Sequence, residues 1–172
     1  MEKERVIVIC GPTASGKTKL GIELANKIDG EIVSCDSMQI YKDMTIGTAK
    51  PTEEERKLAP HHLVDFVSPD ERYSVAEYKK DAEAVMAEIL KRGKKPIIVG
   101  GTGLYLNSLI YGIEYPEIEV DLEYRQELEN RVLTEGLDVL YNEAKKIDEE
   151  ALNKISPNDK KRILRILEIY HS

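Results

Sequence analysis

The strongest chemical signal lies in a short glycine-flanked loop near the start of the chain. Gly11-Pro12-Thr13-Ala14-Ser15-Gly16-Lys17-Thr18 fits the pattern G-x-x-x-x-G-K-[ST] at every fixed position. The glycines let the backbone curl until successive N–H groups converge on an anion. A helix starting at the loop adds the positive end of its dipole. Lys17 supplies a mobile cation for terminal phosphate oxygens, and the Thr18 hydroxyl can join the shell of a Mg²⁺ ion. The loop predicts a polyphosphate ligand. These residues do not say whether that is ATP, GTP or another diphosphate.

Two further loops carry polar groups that could meet the first. Ser34-Cys35-Asp36-Ser37-Met38-Gln39-Ile40-Tyr41 follows a short apolar run. In parallel α/β sheets the ligand crevice lies at the carboxyl ends of the strands, so Asp36 should face the phosphate loop. A carboxylate there can reach Mg²⁺ through water or take a proton from a nucleophile; it can equally cap a turn. The run Thr45 to Pro51 reads as polar and turn-like. Gly100-Gly101-Thr102-Gly103 follows another apolar run; its glycines permit close approach of a chain or ligand, and Thr102 offers a hydroxyl to the same crevice. His61-His62 lacks a carboxylate or cysteine at ligand spacing, so a structural role near the following strand is expected. Lys161 and Arg165 are four residues apart on a predicted helix and share a face. Pattern alone makes that face a solvated one.

The elements that must position these loops alternate. Arg5–Cys10 is a β-branched run ending at Gly11, and residues 17–28 follow with near-helical apolar spacing. Glu31–Cys35 and Leu63–Val67 read as the second and third strands, and Ile97–Val99 as a fourth after Pro96. Thr52 with Glu55, and Ser74 with Glu77, form capping-box patterns that open two helices, the longer ended by Gly93. Strands alternating with helices over short connections predict an α/β fold: a P-loop NTPase-like parallel sheet flanked by helices. After Pro116 the strands stop, and 121–135, 137–154 and 158–171 read as helical. Residues 1–116 are expected to form the α/β core and 117–172 a helical segment.

Composition sets the outer bounds. The chain has 172 residues, of which 41% are apolar and 33% charged, with a formal net charge of −7. That is ample for a hydrophobic core and argues against wholesale disorder. No apolar stretch reaches the roughly 20 residues of a membrane span. Cys10 and Cys35 make no disulfide framework, and no Cys/His spacing suggests zinc. A cytoplasmic, membrane-free protein is expected, and nothing demands an oligomer, so a monomer is. The charge discourages nucleic-acid binding by bulk positive field. It is unevenly spread, however: residues 117–150 hold 4 basic and 12 acidic groups, whereas 151–172 hold 5 and 2.

Taken together, GPTASGKT, SCDSMQIYKDMTIGTAKP and IIVGGTGLYLNSLIYG, in this order and separation, closely resemble the tRNA dimethylallyltransferases, also called tRNA isopentenyltransferases. PHHLVDFVSPDERYSVAEY and SPNDKKRILRILEIY also resemble that family, so the likeness covers essentially the whole chain. The resemblance implies transfer of a dimethylallyl group from dimethylallyl diphosphate to N6 of the adenosine 3′-adjacent to the anticodon. It implies that the phosphate loop, Gly11 through Thr18 including Pro12, Thr13, Ala14, Ser15, Gly16 and Lys17, holds the diphosphate with Mg²⁺ at Thr18. In that family the loop is also described as ATP- or nucleotide-binding. Asp36 would be the general base, and Thr102 would help orient the amine. Contacts to the tRNA anticodon stem-loop are implied for Asp36, Ser37, Met38, Gln39, Thr102, Arg125, Lys161, Arg162, Ile163, Leu164 and Arg165. Members are usually much longer, so the resemblance implies either an N-terminal portion, whose remainder carries further sheet and tRNA-binding surface, or a naturally short chain.

Three other readings use the same residues. A small P-loop kinase shares the loop and the Asp-after-strand arrangement, but no arginine-rich lid segment is visible late in the chain. An enzyme prenylating free AMP differs only in its acceptor, and the KRILR run favours RNA. A binding module would hold diphosphate or tRNA without turnover.

Overall fold

The computed structural model describes residues 6–115 and 121–172. The chain divides into two compact units, Met1–Tyr115 and Pro116–Ser172.

The first unit runs β1 (Ile7–Cys10), α1 (Lys17–Ile28), β2 (Gly30–Cys35), α2 (Glu53–Leu58), β3 (His61–His62), α3 (Val75–Lys91), β4 (Lys95–Gly100) and α4 (Gly103–Ile110). All strand pairs are parallel, in the order β1-β4-β2-β3. Alternation along the central strands sends side chains to two faces. Ile32, Ile97 and Val99 pack with Ile22 and Ala25 of α1 on one face. Val33, Cys35 and Ile98 pack with Tyr78, Ala82 and Ile89 of α3 and Tyr105 of α4 on the other. Tyr78 and Tyr105 stack with ring centroids 4.0 Å apart. The predicted parallel sheet covered by helices is therefore present. Both capping boxes form: Thr52 and Glu55 open α2, and Ser74 and Glu77 open α3.

One strand departs from expectation. Leu63–Val67 is not a strand; β3 lies just before it, with His61 and His62 paired to Ile32 and Val33. Leu63 and Asp65 adopt left-handed backbone, with φ of 58° and 57°, which an extended strand cannot contain. Val67 makes only an isolated parallel bridge to Tyr41. Arg5, included in the first predicted strand, lies outside the described residues.

The second unit contains α5 (Leu122–Thr134), α6 (Leu137–Ile147), α7 (Glu149–Leu152) and α8 (Lys160–His171). Its core joins Leu128, Leu140, Ala144, Leu152, Ile163, Leu164 and Leu167. The helix expected over 137–154 is broken at Asp148, whose carboxylate caps the next turn by accepting the Ala151 N–H at 2.8 Å. Among the described residues no helix is long and apolar enough to cross a membrane.

Candidate active site

At the carboxyl end of β1, the loop places Ala14 and Gly16 in left-handed backbone, with φ of 63° and 82°. Gly16 sits at the N-cap of α1 and supplies no side-chain hydrogen bond. The capping boxes of α2 and α3 close their N-termini, whereas the first turn of α1 keeps its donors for something else. A loop and helix start with open N–H groups make an anion site. The Lys17 ammonium folds back to the Pro12 carbonyl at 2.6 Å, a contact that phosphate oxygens can replace.

The loop borders a cavity of about 470 Å³ that Thr13 to Lys19 line on one side. Asp36, Met38 and Gln39 from the segment after β2 line it too, as do Thr48, Glu55 and His61. The sequence expectation that Asp36 faces the phosphate loop therefore matches the geometry. Its Oδ1 accepts the N–H groups of Met38 at 2.8 Å and Gln39 at 3.2 Å. Asp36 thus forms the turn as well as facing the cavity.

The second and third loops are tied together. Ser37 donates its N–H to Thr102 Oγ1 at 3.0 Å, and the two hydroxyls lie 3.3 Å apart. The Cys35 carbonyl accepts both the Gly101 and Thr102 N–H groups, each at 3.1 Å. This approach requires glycine at position 100, where a Cβ would lie 2.1 Å from the Cys35 carbonyl oxygen. On the opposite side of β2, the buried Tyr78 hydroxyl donates to the Ser34 carbonyl at 3.0 Å. The strand end carrying Asp36 is held from both directions.

Sequence reasoning gave little weight to the segment from Thr45 to Pro51, yet it is anchored. The Gln39 amide donates to the Thr48 and Ala49 carbonyls at 3.2 and 2.9 Å, and Ser34 donates to its carbonyl oxygen at 3.1 Å. Lys50, with its side chain only 4% exposed, donates to the Tyr41 carbonyl and pairs with Asp65, which also binds Arg56. Burial works to raise the Asp65 pKa, but the hydrogen bonds from Lys50 and Arg56 outweigh it and hold the carboxyl below its ordinary range. The left-handed backbone at Asp65 has no apolar-pattern signature, so this clamp had no sequence signal.

The two histidines differ. His62 pairs with the buried Glu31 at 2.7 Å, alongside Arg92 and Lys94, as a structural cluster. His61 lines the cavity; its Nδ1 bonds to the Ala59 carbonyl at 2.8 Å, and its buried Nε2 has no hydrogen-bond partner among the described residues. Burial is the main cause lowering the His61 pKa, because it disfavours the charged ring.

Among the described residues no group of three or more His, Cys, Asp or Glu side chains is arranged to hold a metal. Mg²⁺ does not need one: it keeps waters and binds through one or two protein oxygens plus phosphate. The Thr18 hydroxyl on the cavity wall fits that requirement.

The remaining predicted residues lie in the second unit. Lys161, Arg162 and Arg165 are exposed on α8, and Arg125 is half-exposed on α5. Ile163 and Leu164 require correction: they are 0% and 5% exposed and belong to the core, so their side chains anchor α8 and do not face RNA.

Comparison with known proteins agrees with these features. The model of the IPP transferase family matches residues 39–172, and that of isopentenyl transferases matches residues 4–66. A tRNA dimethylallyltransferase of Acetivibrio thermocellus is 53% identical over 167 residues, covering 97% of this chain and 53% of that protein. One from Thermoanaerobacter sp. is 51% identical, covering 96% and 53%. The chain spans about half the length of the curated relatives it matches. Among solved structures, a tRNA isopentenylpyrophosphate transferase from Bacillus halodurans shares 46% identity with a TM-score of 0.65, covering 98% of this chain and 56% of that one. A eukaryotic dimethylallyltransferase described as acting on tRNA shares 38% identity with a TM-score of 0.80, covering 96% and 41%. With a family match running from Gln39 through the last helix, and relatives sharing half of its residues along nearly its whole length, the chain belongs to the IPP transferase family.

Proposed function

We propose that the protein transfers a dimethylallyl group from dimethylallyl diphosphate to N6 of the adenosine 3′-adjacent to the anticodon in tRNA. The observation that carries this reading is the shared cavity, where an uncapped phosphate loop stands opposite a carboxylate. The names of the relatives supply the reaction class.

The loop amides and Lys17 bind the donor's diphosphate, and they stabilise the charge that grows on it as the C–O bond breaks. Thr18 is the residue that would hold Mg²⁺, which when bound would neutralise diphosphate charge. Adenine N6 is a poor nucleophile because its lone pair is delocalised, so removing its proton during attack lowers the barrier. Asp36 accepts that proton; its Oδ1 is occupied by two backbone N–H groups, which fixes the carboxylate and leaves Oδ2 for the amine. Thr102 positions Ser37, and through it the turn that carries Asp36. The target base must leave the anticodon stack to reach the cavity, at a cost of roughly a few kcal/mol. Ser37, Met38 and the exposed cations of α8 contact the tRNA, and Gln39 holds the Thr48–Ala49 backbone beside it.

The test compares acceptors and donors. Dimethylallyl transfer to an anticodon stem-loop, with none to AMP, is the expected result. Phosphotransfer from ATP without prenyl transfer would overturn the reading.

A further inference from the structure

We propose that Glu168 is a positioning residue for RNA binding, holding Arg125 of α5 and Arg165 of α8 together as one phosphate-binding pair. The proposal rests on the reading of this protein as one that acts on tRNA.

Glu168 is 8% exposed, the one charged residue among the buried side chains of the second unit within the described residues. Its neighbours on the buried face of α8 are Ile163, Leu164 and Leu167. A carboxylate at such a position costs desolvation that an apolar side chain of similar size would not. What it gains is two cations from two helices. Its Oε1 lies 3.6 Å from Arg125 Nε, and its Oε2 accepts a hydrogen bond from Arg165 Nη1 at 3.2 Å.

The arginines are held at their inner edges and open at their outer ones. Their side chains are 41% and 44% exposed. Among the described residues Arg125 approaches carboxylates through Nε, 3.6 Å from Glu168 and 3.7 Å from Glu129, and its two Nη groups enter no hydrogen bond. Arg165 is engaged through Nη1, and its other Nη enters no hydrogen bond among the described residues. A guanidinium carries five N–H donors in a rigid fork suited to phosphate oxygens. Lys161, one turn before Arg165 on the same face, is exposed and enters no ion pair among the described residues. The result is a short cationic row whose two arginines are gathered on one carboxylate before any ligand arrives. Ordering them in advance removes part of the entropy cost of binding a phosphodiester backbone.

The sign of one substitution separates positioning from charge. Glu168→Gln removes a negative charge beside the row. If simple electrostatics governed, affinity for RNA would rise. The positioning role predicts instead that affinity for an anticodon stem-loop falls about three- to tenfold, measured by fluorescence anisotropy at fixed salt in the protein at its full natural length. The loss should disappear in an Arg125→Ala/Arg165→Ala background, because nothing remains to be positioned. Arg125→Lys, which keeps the charge and lacks the fork, should weaken binding by a similar factor and serves if Glu168→Gln fails to fold. Unchanged or tighter binding by Glu168→Gln overturns the proposal, as does a loss that persists in the doubly substituted background. Failure of the unsubstituted protein to bind the stem-loop overturns the tRNA reading, and this inference with it.

Discussion

Substituting Asp36 separates its structural from its chemical work. Its Oδ1 accepts two backbone N–H groups, at 2.8 and 3.2 Å. Asp36→Asn keeps a carbonyl oxygen that can accept both, losing only the extra strength of a charged acceptor, so the cost in stability should stay below about 1 kcal/mol. Asp36→Ala removes the acceptor altogether and, like loss of a helix cap, should cost about 1–2 kcal/mol. Activity should behave differently. A positioned general base contributes about 10²–10⁴ in rate, equal to about 3–5 kcal/mol of barrier. Both variants should therefore lose that factor in initial rate of prenyl transfer, while the urea midpoint falls appreciably only for alanine. Diphosphate binding by the asparagine variant should stay within a few-fold of the original. An asparagine variant that transfers at a rate within about threefold of the original would leave Asp36 as a turn-former only, since a lost base costs far more.

Three further outcomes follow from the packing. Gly100→Ala forces a Cβ to within 2.1 Å of the Cys35 carbonyl and should cost about 3 kcal/mol or more by denaturant unfolding, with loss of diphosphate binding; a midpoint within error of the original would show that β2 and β4 are not held so closely. Burial opposes ionisation of Glu31, but hydrogen bonds from His62, Arg92 and Lys94 win and lower its pKa. Its contribution to stability is full above the unfolded carboxyl pKa and is lost as pH falls through the lower folded value, so Glu31→Gln should flatten the acid limb of a stability–pH curve. Burial raises the Cys35 thiol to about 11, whereas Cys10 is exposed. Iodoacetamide at pH 8 should therefore modify Cys10 alone in the native protein and both thiols in denaturant, as peptide mass mapping would read.

How much of this was written in the sequence depends on the range of the interaction. The phosphate loop is contiguous, and strand, loop and helix each announce themselves locally; so do the capping boxes at Thr52 and Ser74. Asp36 was placed by a general property of parallel sheets applied to one apolar run. The third strand was misplaced because its two residues are chosen by register against Ile32 and Val33, while apolar character continues past them through left-handed Leu63. The clamp on the Thr45–Pro51 segment was invisible because Gln39, Lys50, Arg56 and Asp65 meet only after folding. In the last helix the basic run looked like one binding stripe, but a period of 3.6 residues turns Ile163 and Leu164 inward and leaves the cations outside. The same turn buries Glu168, a charge with no local pattern to mark it.

The central claim is that the phosphate loop and Asp36 serve prenyl transfer to RNA. The most direct measurement incubates the protein at its full natural length with dimethylallyl diphosphate, Mg²⁺ and an A-rich anticodon stem-loop. Mass spectrometry of the digested RNA then reads the product. A single dimethylallyl group on the adenosine 3′ of the anticodon, absent with Asp36→Asn, is the predicted result. Unmodified RNA from a protein that binds both partners would contradict it.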